Sequence, residues 1–157
     1  MSVTSKAALA SLAGAVLVLG GCSHAQDSQG NEKAEQDFTR AADQSTCLAD
    51  ATAVDKPWPD GFPADWPFPG QTTLYNMEDR GSSGTIATAV TALPFKDVLA
   101  YLNGDVVDAG YKIESGETEE HDAEAEWEGN GYRGRWAIRE SSSCPGETVI
   151  QILSAKE

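Results

Sequence analysis

The apolar residues of this chain fall into distinct patterns, and each predicts a different kind of structure. Ala7 to Gly21 (AALASLAGAVLVLGG) is continuously apolar or small. That length suits the hydrophobic region of a secretory signal, whereas a membrane-spanning helix takes about 20 residues. From Phe95 onward, Phe95, Val98, Leu99, Leu102 and Val106 follow a 3.6-residue period. This predicts a helix with one buried stripe. Pro94 opens it at the first helical position, Gly104 weakens it by about 1 kcal/mol relative to alanine, and Gly110 stops it as a C′ glycine. Residues 122–128 (DAEAEWE) alternate strictly, with Ala123, Ala125 and Trp127 on one side and Asp122, Glu124, Glu126 and Glu128 on the other. Ala and Glu favour helix, but a period of two predicts a strand with its alanines and tryptophan inward.

The remaining strands are read the same way. Residues 72–78 (TTLYNME) form the first, Asp79 to Ser83 turn, and residues 84–92 (GTIATAVTA) form the second, with Ile86, Thr88 and Val90 on one face. Residues 111–117 (YKIESGE) place Tyr111 and Ile113 inward, and residues 148–154 (TVIQILS) form the last strand. Asn130-Gly131 is the favoured pair for a two-residue type I′ hairpin loop. Taking it as the loop pairs Gly129 with Tyr132, Glu128 with Arg133, Glu126 with Arg135 and Asp122 with Arg139. It also sets Ala125 against Trp136 and Ala123 against Ile138. Acids meet arginines on one face and apolar groups meet on the other, and a slip of one residue would destroy every pair. The element order ββαββββ over residues 72–157 predicts an α+β fold: a two-layer sandwich, mainly antiparallel sheet, with one main helix.

Residues 57–69 (PWPDGFPADWPFP) fit neither period. Five of the thirteen are proline and four are aromatic, Trp58, Phe62, Trp66 and Phe68. Proline excludes regular helix and central strand, and so many rings do not suit a solvated linker. Residues 45–71 therefore form either a strap packed across the domain or an exposed recognition surface built on Trp58, Phe62 and Trp66, since aromatics concentrate at interface hot spots. The expected arrangement buries Trp66 and leaves Trp58 partly exposed.

The apolar run ends L-G-G-C at Leu19, Gly20, Gly21 and Cys22. This resembles the bacterial lipobox: leucine, two small residues, then the cysteine whose thiol accepts a diacylglycerol. The resemblance implies a signal peptide over 1–21, lipidation at Cys22, palmitate among the acyl chains, and a site on the extracytoplasmic face of a bacterial cell envelope. The membrane is then a partner through Cys22, because several acyl chains give stable anchoring where one is marginal. The n-region departs from the pattern in having Lys6 as its one charge. Residues 22–44 follow as a lipidated cysteine and tether, polar at first. From Asn31 they admit a short helix with Ala34, Phe38 and Ala41 or Ala42 on one side. With Cys22 lipidated in an oxidising compartment, Cys47 and Cys144 remain to form a disulfide.

Charge narrows the partners. The chain of 157 residues carries 25 Asp plus Glu against 11 Lys plus Arg, a net charge of -14. That excludes a basic groove for nucleic acid. Removing residues 1–21 takes away Lys6 and no acid, leaving -15. An acidic body is repelled from an anionic lipid surface.

Candidate chemistry is sparse. His121 lies among Glu119, Glu120 and Asp122, which could be written as a general acid–base pair or a metal ligand set, but the segment is most simply a solvated loop. His24 sits two residues past Cys22. Ser141, Ser142 and Ser143 lie in no nucleophile elbow. Gly81 to Gly84 (GSSG) lacks the lysine and the following helix of a phosphate loop. The three cysteines and two histidines follow no zinc spacing. No catalytic, cofactor-binding or metal residue is assigned. The stretch P-F-P-G (Pro67–Gly70), the strand 84–92, the helix run F-K-D-V-L-A-Y-L (Phe95–Leu102) with Ala109-Gly110-Tyr111, and the final T-V-I-Q-I resemble small bacterial lipoproteins and secreted proteins of unknown function. That resemblance covers about residues 67–154. It implies a compact helix-on-sheet domain and brings no catalytic residues with it. The expected role is structural, assembly or protein-binding, without enzymatic activity, with an envelope protein or peptide as partner. The alternatives are a small-molecule or peptide-binding accessory domain that uses the aromatic strap, and a hydrolase or metal-dependent enzyme.

Overall fold

The computed structural model describes residues 46–157. Strands β1 (Thr72–Asp79) and β2 (Thr85–Thr91) are joined through a 3-10 turn at Gly81–Ser83. Helices α1 (Phe95–Asn103) and α2 (Asp105–Asp108) follow, then β3 (Lys112–Thr118), β4 (Asp122–Gly129), β5 (Tyr132–Glu140) and β6 (Thr148–Lys156). The strands form one antiparallel sheet in the order β1-β2-β6-β5-β4-β3. The chain thus completes a hairpin, crosses the sheet through the helices, and returns as a meander whose last strand slots beside β2. The fold is the α+β class expected, with one bent helix on one face of the sheet.

The β4–β5 hairpin has the register that its sequence demands. Asp122 opposes Arg139, Ala123 Ile138, Ala125 Trp136, Glu126 Arg135, Glu128 Arg133 and Gly129 Tyr132. Asn130 and Gly131 both take positive φ, 53° and 80°, as a type I′ turn requires. The outer-face ion pairs are less regular than the register. Arg135 pairs with Glu124 on the diagonal, while Lys112 of β3 takes Glu128 at 3.2 Å and Glu114 at 2.7 Å.

The inner face carries the core. Ala87 and Ala89 of β2, Ile150 and Ile152 of β6, Trp136 and Ile138 of β5, and Ala123, Ala125 and Trp127 of β4 are all buried. Against them pack Phe95, Val98, Leu102 and Val106 from the helices. Each large side chain so buried contributes roughly 1.5–3 kcal/mol relative to exposure. Ile86, Thr88 and Val90 do share a face, but it is the outer one, because the alanines of β2 make room for the helix stripe.

Two helix expectations need correction. Pro94 is the N-cap residue, not the first helical one: its carbonyl accepts from Asp97 N at 2.9 Å and Val98 N at 3.1 Å. Gly104 does more than weaken the helix. It breaks it, with φ -120° and ψ -78° dividing α1 from α2. Leu102 and Val106 nevertheless both reach the core, so the bend preserves the buried stripe. Gly110 ends α2 as expected, at φ 97°. Gly110 N donates to Val107 O at 3.0 Å and Tyr111 N to Val106 O at 3.3 Å, the two bonds of a Schellman motif.

Candidate functional site: the aromatic strap

The prolines of residues 57–69 deny the chain a hydrogen-bonded ladder, so its attachment comes from rings and from side chains elsewhere in the fold. The rings form a continuous chain from surface to core. Trp58 meets Phe62 edge-on at 5.7 Å and Phe68 at 6.1 Å between centroids. Phe62 lies 6.1 Å from Trp66. Trp66 lies 4.7 Å from Tyr111 and 4.5 Å from Trp127. Edge-to-face and tilted arrangements at these separations are favourable beyond area burial.

Hydrogen bonds from distant elements hold the strap down. Tyr101 of α1 donates its hydroxyl to Phe68 O at 3.3 Å, Tyr132 of β5 to Asp60 O at 3.4 Å, and Thr91 of β2 to Gly70 O at 3.2 Å. Lys56 sits over the Trp58 ring at 4.2 Å and donates its Nζ to Ala64 O at 2.9 Å. The Lys56–Pro57 peptide bond is cis. Burial raises the pKa of Tyr101 above the usual 10, with the Asp105 charge acting in the same direction. Burial likewise raises Tyr111, and the nearby Asn130 side chain opposes it.

Of the expected binding surface, Phe62 is 2% exposed and Trp66 4%. Both belong to the core and offer nothing to a partner, because Gly61 and the surrounding prolines press this part of the strap onto β2. A Cβ at Gly61 would come within 2.6 Å of Thr85 Oγ1. Trp58 is half-buried, and its Nε1 lies inside without a hydrogen-bond partner. What Trp58 presents outward is therefore apolar ring, with Lys56 over it. Tyr101 and Tyr132 had no sequence signal as partners of the strap, since their hydrogen bonds to it span 33 and 72 positions.

Cys47 and Cys144 are joined by a disulfide, 97 residues apart in sequence and 5.7 Å between Cα atoms. Glu147 lies beside the two sulfurs, but its Oε2 accepts from Leu48 N at 2.9 Å. The three groups thus staple the N-terminal segment to the loop before β6. Cys22, His24, the apolar run and the helix expected from Asn31 lie outside the described residues. His121 is exposed, with Nδ1 2.9 Å from Glu140 Oε2 and Nε2 3.7 Å from Glu120. Ser141 is buried and its Oγ accepts from Cys144 N at 3.1 Å, shaping the 141–147 loop. Gly81–Ser83 is the turn between β1 and β2. A shallow acidic groove on the outer face, about 150 Å³, is lined by Glu117, Glu124, Glu126 and Arg135 among others. Compared with known protein families, curated proteins and solved structures, the chain matches none.

Proposed function

We propose that this is a lipid-anchored bacterial envelope protein whose folded domain serves a structural, assembly or protein-binding role without catalysis. The observation that carries the proposal is the L-G-G-C sequence closing an apolar run at Cys22, followed by a domain in which the other two cysteines are bonded to each other. A disulfide suits an oxidising compartment. The strap supports the non-catalytic part of the reading: it closes on the core, with its rings stacked inward and its one lysine engaged. The polar groups that might have suggested chemistry hold the fold instead, Ser141 within its loop and Glu147 beside the disulfide. Substituting Cys22→Ala tests the anchor. The variant is expected to retain residues 1–21 and lose its lipid. A Cys22→Ala protein processed and membrane-bound like the natural one would overturn the reading.

A second reading, a peptide or small-molecule accessory domain, is favoured by the exposed part of Trp58. In this reading a ligand covers the outward ring edge beside Lys56. Ligand-dependent change in Trp58 fluorescence, abolished in a folded Trp58→Ala protein, would support it.

A further inference from the structure

The sheet has two edges, and they differ. At β1 the edge is met by Val54, whose N–H donates to Leu74 O at 2.8 Å. At β3 no described residue pairs with the far side: β3 is last in the strand order, and every residue of it except Ile113 is exposed. Glu119 N donates to Asp122 O at 2.8 Å. Glu119 and Glu117 therefore direct their N–H and C=O toward β4, and by alternation Thr118 and Gly116 direct theirs away from the sheet. Such a row is a template for one more strand. The outer face shows which kind. Glu114 and Glu128 share Lys112, and Glu124 has Arg135. Glu117 directly opposes Glu124 and has no ion pair among the described residues. Like charges so opposed destabilise the strand pair. The acidic groove lies at this point, lined by Ser115, Gly116, Glu117, Glu124 and Glu126.

We propose that β3 is a docking edge for an extended basic segment of another protein, which adds to the sheet as a further strand. Its backbone pairs with Gly116 and Thr118. Side chains alternate along a strand, so lysine or arginine at every second position stands on the outer face. One of them lies beside Glu117 and offsets its repulsion with Glu124. The positions between pass on the inner side, across Gly116, which has no side chain there, and Thr118. The register shift between Ile113 and Gly116 interrupts the regular edge, so the paired stretch is short and charge contributes much of the selectivity. A second copy of this chain does not fit the edge. It brings Glu114 and Glu117 again, on a body of net charge -14, and charged residues and a bulge on an edge strand are features that discourage pairing with its like. The inference is separate from the aromatic strap and stands independently of the anchor at Cys22.

Amide NMR of the full chain, titrated with a short synthetic peptide that alternates lysine and valine, tests it. Saturable shifts and slowed exchange are expected at the Gly116 and Thr118 amides, with binding that weakens as salt rises. The same peptide N-methylated on the edge that would face β3 keeps its charge and cannot pair. It is expected to bind about tenfold more weakly or worse, and a peptide alternating glutamate and valine is expected not to bind. Glu117→Lys is expected to weaken the lysine peptide about tenfold or more, while melting temperature holds or rises because the repulsion with Glu124 is gone. The N-methylated peptide needs no variant, so it decides the matter even if Glu117→Lys disturbs the fold. Equal binding by the N-methylated peptide would reduce the contact to charge alone and overturn the proposal. So would undiminished binding to a folded Glu117→Lys protein, or a titration that leaves Gly116 and Thr118 unmoved. Protection of these amides without peptide that disappears on dilution would assign the edge to a second copy and likewise overturn it.

Discussion

Trp127 of β4 faces Gly134 of β5 directly across the hairpin, and the indole occupies the space that a side chain at 134 would fill. A Cβ at Gly134 would come within 3.0 Å of the Trp127 ring and collide with the Leu153 carbonyl of β6. Gly134→Ala must therefore push β5 away from β6 or displace the ring. Overpacking of this kind costs about 1–3 kcal/mol, and backbone on one side leaves little room to yield. Chemical denaturation is expected to show a loss at or above that range.

Trp66 joins the strap to the same indole at 4.5 Å. Trp66→Ala would open a large cavity between strap, Tyr111 and Trp127, at a cost of about 3–5 kcal/mol. Trp58→Ala removes a half-buried ring and is expected to cost markedly less. Equal losses for the two variants would contradict the gradient of burial along the strap.

Reduction of the disulfide releases a closed loop of about 100 residues. In the chain-entropy model that lowers stability by about 4–5 kcal/mol. Peptide mapping without reductant is expected to recover the Cys47 and Cys144 peptides linked, and denaturation with reductant to shift to lower denaturant. Two thiols that alkylate readily in the folded protein would contradict this.

Tyr75, Tyr101 and Tyr111 all have pKa values above the usual 10, each chiefly through burial. The folded state then holds protons that the unfolded chain has already released. By linkage, stability is intact below pH 10 and falls as pH rises above it. Melting temperature measured through the alkaline range should decline past about pH 10, and spectrophotometric titration should place these phenols above free tyrosine.

Local signals were readable in the sequence where two of them agreed. The β4–β5 register followed from Asn130-Gly131 together with the apolar and charged pairs, because only one alignment satisfies both. The helix stripe followed from its period. The place of β6 between β2 and β5 did not, since strand order is set by pairings such as Ala89 with Ile150 that lie far apart in the chain. The break at Gly104 was also hidden, because glycine signals a cost and not an angle. In the strap, composition showed that the rings had to pack. It did not show that Phe62 lies inside, because that depends on Gly61 approaching Thr85 and on tyrosines from two distant elements.

The proposed anchor at Cys22 is tested most directly by the mass of the protein isolated from bacterial membranes. The expected chain starts at Cys22, lacks residues 1–21, and carries diacylglycerol on the cysteine sulfur, with Cys47 and Cys144 still joined. A chain that retains residues 1–21, or one that carries an unmodified Cys22 thiol, would contradict it.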